Sequence, residues 1–173
     1  MGALEKALQN YVVGSTRGWA LIRYSGTYDL QRLLDTIRSW LLDRKYTLAD
    51  KEHTEIVKAA GKDIKVDTLA FRDVSDYVKF IIQVEIVILR NIDVMVEENG
   101  EKVKKQQGDM DVRVKAFIDK NYKKTFKPGF QEFLRIIYEK FIARRILRNY
   151  KIKLSNETQS LIDEIKGVLG LTK

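Results

Sequence analysis

The sequence has no cysteine, one proline and one histidine in 173 residues. Without thiols there is no disulfide framework, no thiolate nucleophile and no Cys-ligated metal, and a reducing or cysteine-poor setting is implied, so the expected compartment is the cytoplasm. The single histidine, His53, lies in an alternating stretch with Glu52 and Glu55, and neither a Ser-His-Asp arrangement nor a metal-ligand spacing surrounds it. A solvent-facing strand histidine is the expectation. Glu52 and Glu55 fall on opposite faces of a strand, which excludes a paired-carboxylate site of the glycosidase kind. The glycine sets Gly14 to Gly18 and Gly167 to Gly170 match neither a Walker loop nor a dinucleotide fingerprint. No catalytic residue, metal site or cofactor is therefore assigned, and a non-enzymatic role is expected.

Long apolar runs are also missing. The longest mostly apolar stretch, Val78 to Leu89, is broken by Lys79, Gln83 and Glu85 and falls short of the ~18 residues of a spanning helix. Met1 to Val13 carries Glu5 and Lys6 and is too polar for a signal peptide. A composition of 45% hydrophobic and 32% charged residues is that of a soluble globular protein of one domain, 1–173, with no linker, low-complexity tract or internal repeat.

What is present is a charge asymmetry. Between Asn121 and Lys153 stand ten basic residues, Lys123, Lys124, Lys127, Arg135, Lys140, Arg144, Arg145, Arg148, Lys151 and Lys153, against Glu132 and Glu139. This segment accounts for the whole formal charge of +8, so the rest of the chain is balanced. Such concentration points to an anionic partner met at one place: nucleic acid or a ribonucleoprotein, an acidic protein, or an anionic lipid surface. The ten basic residues are the candidate anion-binding set. Most aromatics of the segment recur at helical spacing and belong to a core, while Tyr122, Phe126 and Tyr150 are the candidates for stacking or interface contacts. A solvated basic face is the competing reading.

Hydrophobic periodicity gives an order of elements. Leu4, Leu8, Tyr11 and Val12 recur at helical spacing, Trp19 to Tyr24 reads as a strand, and Thr27 or Asp29 caps a helix with Leu30, Leu33, Leu34, Ile37 and Leu41 on one stripe. From Tyr46 to Lys120 the period becomes two: strands at Glu52 to Lys58 and Ile64 to Phe71 flank a turn at Gly61-Lys62-Asp63. In the next strand Val78, Phe80, Ile82, Val84, Ile86 and Ile88 form a buried face, and the alternate residues a half-covered one. Asn99-Gly100 is a type I′ hairpin signal joining Val96 to Val103. Met110, Val112, Val114, Ala116 and Ile118 continue the alternation, and Asp109 and Asp111 alternate with Arg113 and Lys115 as in cross-strand ion pairs.

Pro128-Gly129 opens a basic helical segment, 129–173. Its first apolar stripe, Phe130, Phe133, Leu134, Ile137, Tyr138 and Phe141, breaks near Ala143, where Arg144, Arg145 and Arg148 take over the same face. Arginines cannot replace a stripe in a core without partners. The helix changes course, or it leaves the sheet for a partner, or it packs between two subunits of a homo-oligomer.

The predicted class is α+β: one mostly antiparallel sheet of about five or six strands with helices on one face. The runs Ile92 to Gly108, Val112 to Tyr122 and Phe133 to Phe141 are similar to a group of small uncharacterised archaeal proteins. That resemblance covers the second half of the chain, implies an archaeal cytoplasmic origin and supplies no activity. The element order also resembles the helix-grip fold, which implies, as an alternative function, a carrier of an apolar or lipid-like ligand between the sheet and the C-terminal helix.

Overall fold

The computed structural model describes residues 11–13, 20–98, 100–120 and 143–171. The elements run β1 (Tyr11–Val13), β2 (Ala20–Tyr28), α1 (Leu30–Asp43), β3 (Thr47–Lys58), β4 (Gly61–Asp73), β5 (Val78–Glu98), β6 (Glu101–Lys120) and α2 (Ala143–Val168). They form one antiparallel sheet of six strands with two helices, the α+β class expected. The path β1-β6-β5-β4-β3 is a meander closed at one side by the first strands, since β2 also pairs with β6.

Period two decides which side of the sheet is buried. Val78, Phe80, Ile82, Val84, Ile86 and Ile88 of β5 are all buried, and so are Met110, Val112, Val114, Ala116 and Ile118 of β6. Ile82 stands opposite Ala116 and Ala70, and Val84 opposite Val114 and Thr68. The helices lie on this side: Leu33, Ile37, Trp40 and Leu41 of α1 join Leu147, Leu154, Leu161, Ile162 and Ile165 of α2 in the same cluster. The α1 stripe is as predicted, with Trp40 added and with Leu30 and Leu34 half-buried at its edge. Asp29 is the cap: its carboxylate accepts from Arg32 N at 2.9 Å, satisfying a donor that the first turn leaves free. On the outer side of β5 cover is partial, with Ile81 buried and Leu89 exposed.

Three expectations change. Tyr11 and Val12 belong to strand β1, where Tyr11 faces Phe117 and Val13 faces Ala116, because an edge of β6 offers hydrogen bonds that a short isolated helix cannot match. The rest of that predicted helix lies outside the described residues. The turn between β3 and β4 falls at Ala59-Ala60, and Gly61 already opens β4 opposite Lys58. Its φ of +125° and the approach of the Arg90 carbonyl carbon and Asn91 O to 2.9 Å of a would-be Cβ explain the glycine there. Finally, β3 begins at Thr47, five residues ahead of the predicted start, and tolerates a register shift between Asp50 and Glu52. The hairpin between Glu98 and Glu101 is as expected, with Val96 opposite Val103 and Gly100 at φ +84°.

Candidate functional site

Residues 143–156 of α2 contain five basic residues, Arg144, Arg145, Arg148, Lys151 and Lys153, and no acidic one. The burial period explains how they are presented. Leu147, Leu154, Leu161 and Ile165 are buried at helical spacing, and Thr158 joins them by donating its hydroxyl to Leu154 O at 2.7 Å. Arg148, Lys151 and Lys153 then fall on the exposed remainder of the helix, together with Ile146 and Ile152, which are 44% and 53% exposed. Among the described residues none forms an ion pair with these three cations. Tyr150 is half-buried, its ring edge-on to Phe80 at 6.0 Å, so it serves packing against the sheet. Arg144 and Arg145 lie on the same helix, with side chains outside the description. Tyr122, Lys123, Lys124, Phe126, Lys127, Arg135 and Lys140 lie outside the described residues, as does the stripe from Phe130 to Phe141 and any space beneath it.

The rest of the charge is organised. Across the outer face of the sheet runs a ladder in which Glu52 of β3 pairs with Lys65 of β4 at 2.8 Å, Lys65 with Glu85 of β5 at 3.9 Å, Glu85 with Arg113 of β6 at 3.0 Å, and Asp111 with Arg23 of β2 at 3.6 Å. Asp109 accepts from Ser25 at 2.7 Å and pairs with Arg90, as the alternation of Asp109, Asp111 and Arg113 predicted. These contacts set the local acidities. Lys65 and then Thr54, by donating hydrogen bonds, hold the Glu52 carboxyl below the usual range, and Ser25 followed by Arg90 does the same for Asp109. Asp63 is lowered by its bond from Lys58 and by the backbone N–H of Arg90. Asp119 moves the other way because burial penalises its charge more than Lys79 favours it.

One group of functional interest to the fold escaped sequence reasoning. Arg72 continues the core-facing phase of β4 after Ile64, Val66 and Ala70, and it is received by Glu157 of α2. Its guanidinium also donates to Arg44 O at 2.7 Å and lies 4.5 Å from the centre of the Tyr46 ring. Tyr46 donates to Glu157 at 2.9 Å, and burial first, then the Glu157 charge, raises its phenol pKa far above the ordinary value. The signal was available: an arginine in a core phase demands a carboxylate.

His53 is exposed and lies 3.4 Å from Glu55, while Glu52 points to the opposite side, so the three do not converge. Among the described residues no three His, Asp or Glu side chains are grouped to hold a metal, and no helix is long and apolar enough to cross a membrane. Comparison of the chain with family models, with curated proteins and with solved structures finds no match.

Proposed function

We propose that this chain is a non-enzymatic binding or scaffold protein that docks on an anionic surface, nucleic acid, ribonucleoprotein or anionic membrane, through the basic half of α2. One observation carries the reading: Arg148, Lys151 and Lys153 are exposed without an ionic partner among the described residues, in a protein whose other side of the sheet is laced with ion pairs. Unmatched cations on an acid-free stretch create a local positive field that recruits polyanions and is weakened by salt. The exposed Ile146 and Ile152 add apolar contact to the same surface.

The test is retention on heparin, on RNA and on anionic vesicles. The parent binds at low salt and elutes as salt rises, with a log-log slope of about 0.9 per phosphate contact for duplex nucleic acid. The triple variant Arg148→Gln, Lys151→Gln, Lys153→Gln loses retention while keeping its thermal midpoint. Membrane docking depends also on Ile146 and Ile152, whereas nucleic-acid binding is lost with charge alone. A parent protein that flows past all three anions at low salt defeats the proposal.

A further inference from the structure

We infer that the space between α1 and strands β3, β4 and β5 is a binding site for an uncharged aliphatic molecule with one hydrogen-bonding end. This cavity has a volume of about 480 Å³, within the range of small-molecule sites. Its floor and walls are aliphatic: Leu34 and Ile37 from the helix, Leu48, Val66, Val84 and Ile86 from the sheet. Its mouth is polar. Gln31, Asp35 and Arg38 follow one another along α1, and His53 and Thr68 face them from the sheet.

The register shift in β3 makes this mouth. Leu48 stands opposite Ala70 on the helix-covered side, and Asp50 pairs in register with Thr68; after the extra residue, Glu52 falls opposite Asp67 and His53 opposite Val66. Without the shift Glu52 faces the cavity and His53 faces out, because side chains alternate at period two. Glu52 and Asp67 also line the cavity, but each carboxylate is engaged: Glu52 accepts from Lys65 and Thr54, and Asp67 from Gln83 at 2.9 Å. The remaining charges at the mouth, Asp35 and Arg38, have opposite sign and lie within one turn of α1. A ligand charge of either sign therefore meets an equal charge of its own sign, whereas a hydroxyl meets donors and acceptors alike. The aliphatic floor rejects a second polar group, since burying one without a partner is costly. The larger depression of about 730 Å³ along the flank of α1 is lined by Asp29, Asp43, Glu164, Arg32 and Arg44 and lacks such a floor.

The test uses the full chain and the uncharged fluorescent probe N-phenyl-1-naphthylamine. The probe binds with one-to-one stoichiometry and is displaced by decanol about tenfold more effectively than by decanoic acid or decylamine, the penalty for a buried unpaired charge being at least that large. Leu48→Trp, which fills the cavity from the edge strand, weakens decanol binding at least tenfold without lowering heparin retention. In the parent, methyl resonances of Leu34, Ile37, Leu48, Val66, Val84 and Ile86 shift on adding decanol, which decides the matter even where a variant folds poorly. No uptake of probe, equal competition by the three decyl compounds, unchanged binding in a folded Leu48→Trp, or shifts confined to other methyls each overturn the inference. Because α2 cations play no part, failure here leaves the docking proposal standing.

Discussion

Nη2 of Arg72 lies 2.9 and 2.8 Å from the two carboxylate oxygens of Glu157, joining the sheet to α2 through a pair whose side chains are each 17% exposed. Removing one partner of a largely buried pair leaves a charge without its counterpart. Glu157→Gln is expected to lower stability by about 1 to 3 kcal/mol, discounted from the fully buried case because some water reaches the pair. Tyr46→Phe, which deletes one hydrogen bond to the same carboxylate, costs about 1 kcal/mol. Denaturant midpoints of the two variants and of the double variant measure the coupling; full additivity would show that Glu157 does not link them.

Core positions on β5 give the largest effects. Ile82 is fully buried opposite Ala116 and Ala70, and Ile82→Ala is expected to cost about 2 to 5 kcal/mol, with Val84→Ala nearer 1 to 3. Lys102, exposed on the hairpin arm, is neutral to substitution. An unchanged midpoint for Ile82→Ala would contradict the burial of this face.

Gly61→Ala tests the close approach of two strands. A methyl group there meets backbone atoms at 2.9 Å and adopts an unfavourable φ of +125°, so a loss of about 1 to 3 kcal/mol is expected. Gly100→Val, where space is open and only φ is at issue, costs about 1 to 2 kcal/mol. Equal and negligible losses would remove the steric argument.

Acid should destabilise the fold through Glu52, Asp63 and Asp109. Their carboxyls are held below ordinary values by hydrogen bonds, so the stability they contribute is present above the unfolded carboxylate range of about pH 4 and is lost as pH falls through their lower folded values. Asp119, raised by burial, has the opposite sign and is relieved by protonation over the region where the others begin to weaken. Below about pH 4 Asp119 is protonated in both states, so the three lowered groups make the slope there downward. Asp109→Asn flattens that slope in urea titrations at graded pH, and an unaltered slope would show that the Ser25 and Arg90 contacts contribute nothing in solution.

Much of the sheet was legible because alternation is a local signal: Val78 to Ile88 and Met110 to Ile118 announce their faces residue by residue, and Asn99-Gly100 its turn. Tyr11 and Val12 misled for the converse reason. Three residues carry little intrinsic preference, and the partner that makes them a strand, Phe117, is distant in sequence. The outward orientation of Arg148, Lys151 and Lys153 follows from the seven-residue recurrence Leu147, Leu154, Leu161. The cavity was not legible, since it depends on one extra residue in β3 that no composition or period reveals.

The pairing of β2 with β6 also governs when this chain can finish folding. Ala20 meets Val114 and Tyr28 meets Gln106, so β2 must wait for β6 to be made before its backbone is paired. At elongation rates of about 5 to 20 residues per second, the delay is on the order of 5 to 20 seconds. The meander from β3 onward can assemble as it emerges, each strand beside its predecessor, while α1 holds its apolar stripe without a completed sheet beneath it. The apolar face is thus most exposed to aggregation until β6 pairs the waiting strand and α2, made after it, covers that face.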